Sequence, residues 1–402
     1  MQRIGPFRAA AKDQIECEGQ EPYLEFEPIA ACGQSSGNSY QNVYKGMKKY
    51  FIGIDFSKEK FDVALIARET EGSSPVEKGH GVYGNDRKGF RSFERRVRSL
   101  CAGACPSEVL FCGEDTGRYS EALAGYLYGL GYDVWLESPL RMKHSMGIRR
   151  AKDDRADAQA IAAYAMRFAD KAMPYTPMSP ALHELRELFS YRMFLVRQKK
   201  AVTVRAAEVR ETDSRRDRGT SFACRSARRM EKQMDREIRE CNGRIRALID
   251  SDPELAETYR IVTSVKGIGQ QNATALILCT RNFTRFDDPR QLACYCGIAP
   301  FARQSGTSLH SLAHNSPLAD RQMKALLSEA AKSAVMFNPV MKNYYQRLIE
   351  RGKHPGVALN NVKNKLVHTI MAMVRNKTVF DERYSYQFSM NFNIKQKIMA
   401  YN

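Results

Sequence analysis

Four carboxylates in the first 160 residues have the types and spacing to hold a divalent cation together. Asp55 interrupts the apolar run FIGIDFS, and Glu114 stands near the end of the apolar run SEVLFCGED. Asp154 and Asp157 are three residues apart in AKDDRADAQAIA and therefore face one side of a helix. If the four converge, their mutual repulsion requires a cation, and one or two Mg²⁺ ions would make a site for in-line displacement at phosphorus.

Each carboxylate has an ordinary explanation when it is considered alone. A single aspartate in a strand is more often neutralised by a buried arginine or lysine. Two aspartates at the start of a helix often complement the helix dipole. Only the convergence of all four favours a metal site, so the fold decides between these readings.

The predicted order of elements, β-β-β-α-β-α-β-α, is typical of an RNase H-like α/β domain. In that topology the first and fourth strands are neighbours, so Asp55 meets Glu114, and the last helix brings the other two carboxylates to them. The adjacent Asp115 and Asp153 are assigned to the surface and to helix capping. The predicted strands are 51–57, 61–67, 79–85, 107–115 and 132–138; the predicted helices are 86–100 with Asn85 as N-cap, 118–131 closing at Gly131, and one within 151–169.

A second candidate for chemistry is Ser305 in ARQSGTS. Arg303 could neutralise a phosphate, and Gly306 allows a backbone to approach closely. No Ser-His-Asp pattern surrounds this serine, so spacing alone favours an ordinary loop residue. His310 and His314 lack a third ligand, so no metal site is expected there.

The middle of the chain predicts two long, charged helices between Pro180 and about Asp250. Their apolar stripes predict an antiparallel pair, or a coiled coil formed between copies of the chain. Arg225, Arg228 and Arg229 fit a solvated face and a phosphate contact equally well. The stripes are Leu182, Leu185, Phe189, Met193 and Val196, and Met230, Met234, Ile238, Cys241, Ile245 and Leu248.

The last part of the chain is predicted to be mainly helical. Lys266, Gly267 and Gly269 in VTSVKGIGQQ suit the turn of a helix-hairpin-helix-like element that holds a phosphate backbone, although any helix pair can be joined this way. A helix is predicted over 318–335. The basic and aromatic segment 338–375 suits nucleic acid, although tyrosines at helical spacing more often pack in a core.

The composition points to a polyanionic partner. The chain has 402 residues, a net charge of +18 and a pI near 9.5, and nucleic acid fits that charge better than a membrane surface. The ten cysteines contain no CxxC pair, which predicts reduced thiols in the cytosol. Residues 1–46 hold four Lys/Arg against six Asp/Glu and no periodic pattern, so we expect an extension outside the fold, with Met47 as the natural start.

These observations predict five segments. They are an unstructured or artefactual extension (1–47), an RNase H-like domain (48–172), a helical coiled-coil region (173–256), a C-terminal domain (257–380) and a tail (381–402).

Taken together, the motifs resemble transposases of the insertion-sequence 110 family, whose relatives include the Piv/MooV DNA invertases. The resemblance is carried by FIGIDFSKEKFDVAL, EDTGRYSEALAGYLYGLGYDV, KDDRADAQAIA, VKGIGQQNATALI, FDDPRQLACYCGIAPFARQSGTS and YYQRLIERGKHPGVAL. It covers about residues 48–378.

The resemblance implies a RuvC-like domain whose DEDD site corresponds to Asp55, Glu114, Asp154 and Asp157 and binds Mg²⁺. It implies that Ser305 attacks DNA and forms a phosphoserine link. It also implies DNA partners and a structured guide RNA transcribed from the element, which pairs with donor and target DNA. Beside these motifs, Lys152, Arg155, Arg303 and Gly306 are expected to contact nucleic acid, in a homo-oligomer (dimer or tetramer) located in the bacterial cytosol with the nucleoid.

Three functions remain open at this point. The first is an RNA-guided recombinase that excises and inserts its own element, or an invertase that uses the same chemistry. The second is a junction-resolving nuclease in which the carboxylates direct water and Ser305 is passive. The third is a nucleic-acid-binding protein without catalysis. A covalent protein–DNA intermediate distinguishes the first from the second, and cleavage itself distinguishes both from the third.

Overall fold

A computed structural model describes residues 48–68, 74–145, 153–215, 222–305, 309–315 and 319–382. The chain forms two compact units that divide between Thr176 and Pro177. The predicted extension 1–47 and nearly all of the predicted tail lie outside the described residues.

The first unit is built on a five-stranded mixed sheet with the strand order β3-β2-β1-β4-β5. The first three strands pair antiparallel, whereas β1, β4 and β5 are parallel. The mixed α/β class is thereby confirmed, and this strand order is compatible with an RNase H-like domain. The elements are β1 (Tyr50–Phe56), β2 (Lys60–Ala67), β3 (Val76–Gly84), α1 (Arg87–Leu100), β4 (Val109–Glu114), α2 (Glu121–Gly129), β5 (Asp133–Glu137), α3 (Pro139–Ser145) and α4 (Asp154–Arg167).

Alternation along the strands gives the sheet two buried faces. One face, which includes Ile52, Ile54 and Phe111, packs against α1 and α2. The other face, which includes Phe51 and Leu110, packs against α3 and α4. Because Asp55 is four residues after Phe51 and Glu114 four after Leu110, both acidic residues belong to the face covered by α4.

Two helix ends in this unit can be compared with the sequence. The predicted N-cap Asn85 is wrong: the Asp86 carboxylate accepts from the Gly89 backbone N–H at 2.7 Å and caps α1. Asn85 instead donates its side-chain amide to two backbone carbonyls, those of Ser57 and Tyr119. Gly131 has φ +80° just beyond α2, which is the conformation that ends a helix at a glycine.

The second unit is mainly helical and carries one β-hairpin, β6–β7, that the sequence did not predict. Helix α10 begins at Arg321, three residues later than predicted, and segment 338–375 forms two helices. The elements are α5 (Pro180–Arg215), α6 (Phe222–Ser251), α7 (Pro253–Thr263), α8 (Gln270–Thr280), α9 (Pro289–Tyr295), β6 (Pro300–Ser305), β7 (Leu309–Asn315), α10 (Arg321–Phe337), α11 (Pro339–Glu350) and α12 (Pro355–Arg375).

Helices α5 and α6 form an antiparallel pair within one chain. Arg192 Nε donates to Asn242 Oδ1 at 2.7 Å, and seven residues further along α5 Lys199 Nζ lies 2.6 Å from Asp235 Oδ1. The apolar stripe of α6 includes the fully buried Ile249 beside the predicted Leu248, which is partly buried against the same core.

The base of this helix pair belongs to the core of the second unit. Leu185 and Phe189 of α5 and Ile245 of α6 are buried in the same hydrophobic cluster as residues of α7 to α12. At the other end of α6, Met230 of the predicted stripe is 46% exposed. A coiled coil between copies remains a prediction. No helix in the described ranges is long and apolar enough to cross a membrane.

Candidate active site

Gly53 lets helix α4 lie directly on strand β1. A Cβ at this position would lie 2.2 Å from both the Ala158 carbonyl oxygen and the Ala162 backbone nitrogen, so only glycine fits. The two facing helix residues, Ala158 and Ala162, are themselves small and fully buried. This contact holds α4 against β1, so the first turn of the helix lies near Asp55, two residues after Gly53.

The four predicted carboxylates lie at one end of the sheet. In the β1–β4 ladder Ile54 pairs with Gly113, and Asp55 and Glu114 are the next residues of the two parallel strands. Asp154 and Asp157 occupy the first turn of α4. We call these four residues the carboxylate cluster.

The residues adjacent to the cluster have the separate roles that were expected for them. Asp153 is the N-cap of α4 and accepts from the Arg155 backbone N–H at 3.4 Å. Asp115 is exposed and accepts from the Gly117 backbone N–H at 3.2 Å.

Electrostatics within the cluster oppose ionisation. The pKa of Asp55 is raised to about 6, chiefly by burial and then by the charges of Asp157, Asp154 and Glu114. The pKa of Glu114 is also raised, first by burial and then by Asp157. Holding the ionised carboxylates together costs electrostatic free energy, and a bound divalent cation would offset that cost.

Lys60 and Asp62 also belong to this end of the sheet, and the sequence analysis missed both. Lys60 Nζ lies 3.0 Å from Asp154 Oδ2 and 3.2 Å from Asp62 Oδ2. Asp62 is 5% exposed and is the register partner of Asp55 across the β1–β2 hairpin, so the two share a face. The signal was present in FDVALIA, where Asp62 is the polar residue in an otherwise apolar strand.

Glu137 is the register partner of Glu114 on the neighbouring strand β5, but its bonding differs. Its Oε1 accepts from the Ser138 backbone N–H at 2.7 Å, and its Oε2 accepts from the Tyr164 hydroxyl at 3.3 Å. Arg141 Nη1 approaches Oε2 at 3.8 Å. Burial, and then this carboxylate, raise the pKa of Tyr164 to about 12, which keeps the hydroxyl a donor. Glu137 is therefore satisfied by protein groups.

The chemistry of the carboxylate cluster fits a hard divalent cation, because all its donors are oxygen atoms. In the described part of the chain, however, no three His, Cys, Asp or Glu side chains are grouped closely enough to act as ligands of one ion. Mutual repulsion and the contact of Lys60 with Asp154 account for such a separation between like charges.

Comparison with known proteins decides the family. Residues 259–346 match the transposase family IS116/IS110/IS902, and residues 52–209 match a second transposase family, the DEDD transposases of IS110. The pilin gene-inverting protein of Moraxella bovis is 25% identical over 351 residues, which cover 84% of this chain and 99% of that protein. A 43.6 kDa protein of insertion element IS110 from Streptomyces coelicolor is 30% identical over 145 residues, 36% of this chain and 35% of that protein.

The chain belongs to the IS110 family of transposases. Transposases of this family are enzymes that cleave and rejoin DNA. The DEDD match includes all four residues of the carboxylate cluster, and the other match includes Ser305.

The other residues predicted to act on nucleic acid lie outside the carboxylate cluster. Ser305 is the last residue of β6 and pairs with Leu309 across the hairpin, while Arg303 pairs with Ser311. Arg155 Nη2 lies 3.3 Å from Glu77 Oε1 in an exposed ion pair. Lys152 and Gly306 lie outside the described residues.

The turn between α7 and α8 has a packing role that the motif did not reveal. Gly267 has φ +104°, and a Cβ there would lie 2.5 Å from the Cα of Ala334 in α10. The Asn338 side-chain amide donates to the Lys266 carbonyl at 3.4 Å. Gly269 precedes α8, and a Cβ there would meet no atom within 4 Å. Gly267 is thus required by packing, and contact of this turn with nucleic acid remains a prediction.

Proposed function

We propose that this transposase excises and inserts its own mobile element by cleaving and rejoining DNA at a Mg²⁺ site held by the carboxylate cluster. The supporting observation is the convergence of like charges at the ends of β1 and β4 and the start of α4, which raises the pKa of Asp55 to about 6. Glu137 shows that this sheet end can satisfy a carboxylate fully with protein donors. In the part of the chain that the structure describes, Asp55 and Glu114 have no comparable hydrogen bonds, and burial together with like charge raises the pKa of both, which supports a ligand role.

The residues of the site have distinct parts in this proposal. Asp55, Glu114, Asp154 and Asp157 would hold Mg²⁺, which when bound supplies positive charge at the scissile phosphate. Lys60 balances the charge of Asp154 and Asp62 in the metal-free protein. Gly53 holds α4, and with it Asp154 and Asp157, against the strand.

We propose Ser305 as the nucleophile. Its hydroxyl oxygen forms an ester bond with the scissile phosphorus, while the bond from phosphorus to the leaving deoxyribose oxygen breaks. The hydroxyl proton passes to water, and the leaving oxygen takes up a proton. Attack by a hydroxyl of the second DNA end reverses these changes and rejoins the strand without net hydrolysis. The support is the family resemblance of the RQSGT motif and the inclusion of Ser305 in the matched segment.

We further propose that a structured RNA encoded by the element directs the choice of DNA. The support is the net charge of +18 together with the family resemblance. Base pairing would then supply sequence choice, and the protein would bind backbone and shape.

Site-specific inversion is the second candidate, and a specific observation favours it. Two proteins that match 84% of this chain are the pilin gene-inverting proteins of Moraxella bovis and Moraxella lacunata. The cleavage chemistry is the same in both cases, and only the arrangement of the recombining sites differs. Plasmids that carry the element ends in inverted or direct orientation would separate the two outcomes.

The test of the nucleophile is the Ser305→Ala variant, compared with Ser311→Ala in the opposite strand of the hairpin. With labelled element-end DNA, Mg²⁺ and cognate RNA, wild type and Ser311→Ala should form a covalent protein–DNA adduct that survives denaturing electrophoresis. Ser305→Ala should form none and should not cleave. Cleavage without any adduct in the wild type would favour the junction nuclease, and adducts formed by Ser305→Ala would exclude this serine as nucleophile.

A further inference from the structure

Lys363, in the middle of α12, is a buried lysine without an acidic partner. The residue is 8% exposed, and its neighbours Val362 and Leu366 are fully buried. Lys363 Nζ donates to the Ser328 hydroxyl at 3.1 Å, and that hydroxyl in turn donates to the Lys324 carbonyl at 2.7 Å. Within the described ranges no carboxylate contacts Lys363 and no second hydrogen bond reaches it.

The surroundings of this ammonium group add positive charge. Lys324, Ser328 and Lys332 are four residues apart on α10 and therefore line one ridge of that helix, which packs on α12. Burial lowers the pKa of Lys363, and the charges of Lys324 and Lys332 lower it further. Glu329 does bind Lys332 at 2.9 Å, but both side chains are largely exposed, so this pair screens Lys363 little. We call Lys324, Lys332 and Lys363 the lysine trio.

Lys363 bonds the Ser328 hydroxyl while two further lysines on the facing helix are near enough to lower its pKa, an arrangement that is unfavourable unless an anion joins them. Desolvation of an ammonium group costs free energy, and the two neighbouring charges add repulsion. A tetrahedral oxyanion removes both costs, since several oxygen atoms can accept from the ammonium groups at once. For a DNA-processing enzyme with a net charge of +18, the abundant oxyanion is the phosphodiester of a nucleic-acid backbone.

We infer that the lysine trio on α10 and α12 binds a backbone phosphate of the nucleic acid on which the transposase acts. This inference rests on the proposed function and deepens it, because the sequence connected segment 338–375 with nucleic acid only as a whole and singled out none of these three lysines. The shared chemistry is the phosphodiester, which DNA and RNA both supply. The ordinary explanation is a lysine whose stem packs between the helices and whose ammonium group meets only Ser328 and water.

The test compares binding by the full chain to duplex DNA and to a hairpin RNA of matched length, between 50 and 200 mM salt. Lys363→Met keeps the length and apolar stem but removes the charge. Loss of one phosphate contact should weaken binding about fivefold to tenfold near 0.1 M salt and lower the salt slope by about one. Lys377→Met is the matched control, because Lys377 is exposed and lies near Glu257; it should change affinity less than about twofold.

The outcome for each nucleic acid identifies the source of the phosphate. A loss confined to DNA or to RNA assigns the site to that molecule, and a loss on both assigns a general backbone contact. Unchanged affinity and salt slope on both, in a folded Lys363→Met protein, would overturn the inference. If Lys363→Met does not fold, Lys324→Met decides in the same assay, because Lys324 is only half-buried. A wild type that binds neither nucleic acid would instead contradict the proposed function itself.

Discussion

The carboxylate cluster of the first unit brings negative charges together, and the lysine trio of the second unit brings positive charges together. Both place a titratable group among neighbours of the same sign, and in both burial is the largest cause of the pKa shift. They differ in what holds them. Strand ends and the contact at Gly53 position the carboxylates, whereas helix packing and one hydrogen bond to Ser328 position Lys363. In each region like charges outnumber their partners, since Lys60 pairs with Asp154 in one and Glu329 with Lys332 in the other. The excess charge points to a metal ion in the first region and to a phosphate in the second.

Glu137 gives the contrast that makes the first half of this comparison testable. It lies beside Glu114 on the same face, yet three protein groups satisfy it. If a carboxylate that protein donors do not satisfy is a metal ligand, removing the charge of Glu114 should reduce cleavage. Removing the charge of Glu137 should instead reduce stability.

The largest expected effect is on cleavage by Glu114→Gln. Loss of a metal ligand removes about 3–4 kcal/mol of transition-state stabilisation, so cleavage should fall about a hundredfold to a thousandfold. Glu137→Gln should retain cleavage within about threefold but lose ~1–3 kcal/mol of stability, because Ser138 N–H and the Tyr164 hydroxyl then face an amide group. Single-turnover cleavage and urea unfolding measure the two effects. Equal loss of cleavage in both variants would break the contrast between satisfied and unsatisfied carboxylates.

Gly53→Ala should have the next largest effect, because the added methyl group would meet the backbone of α4 at 2.2 Å. Moving the helix away costs about 3 kcal/mol or more and takes Asp154 and Asp157 away from Asp55. Gly125→Ala in α2 is the control: a Cβ there meets nothing within 4 Å, so the variant should gain ~0.5–1 kcal/mol. Thermal unfolding and cleavage assays on both proteins test this. A stable and active Gly53→Ala protein would show that α4 does not need this contact to position its carboxylates.

The strands of the first unit could be predicted from the sequence, because short apolar runs bounded by polar turns mark them and the order of elements leaves few choices of topology. That topology, together with the family resemblance, selected Asp55, Glu114, Asp154 and Asp157. The β6–β7 hairpin could not be predicted in this way, since LHSLAHN has neither an apolar run nor a turn signal strong enough to mark a strand.

Other parts depend on tertiary contacts that no local pattern encodes. The sequence around Gly267 is typical of a phosphate-binding turn, but its close approach to Ala334 depends on helix α10, which begins only at Arg321. Lys363 reads as one of many basic residues in 338–375, and only the packing of α10 on α12 shows that it is buried. Lys60 and Asp62 could be assigned to the site only from the register of the β1–β2 hairpin, which places Asp62 opposite Asp55.

The last prediction tests whether repulsion between the carboxylates lowers the stability of the metal-free protein, as the comparison of the two regions requires. Asp55 has an ordinary pKa of 3.8 and a folded-state pKa of about 6. Between these values the folded state binds more protons than the unfolded state, so stability falls as pH rises from about 4 to 6 and stays lower above that range.

The full shift would correspond to ~3 kcal/mol, and partial exposure of the side chain reduces this to ~1–2 kcal/mol. Asp55→Asn should therefore be more stable than the wild type by ~1–2 kcal/mol at pH 7–8 in chelator, and the difference should shrink as the pH falls to 4.5. Adding Mg²⁺ should stabilise the wild type more than the variant, since the ion binds only where the carboxylates are intact.

Urea unfolding of both proteins at several pH values, with and without Mg²⁺, measures these differences. Asp115→Asn serves as the control, because its exposed carboxylate accepts from a backbone N–H and lies outside the cluster. It should change stability by less than ~1 kcal/mol at every pH, with no response to Mg²⁺ beyond that of the wild type. If Asp55→Asn instead loses stability at pH 8 in chelator, the carboxylates are held by attractive contacts, and like-charge repulsion is no longer a reason to assign a metal ion to this end of the sheet.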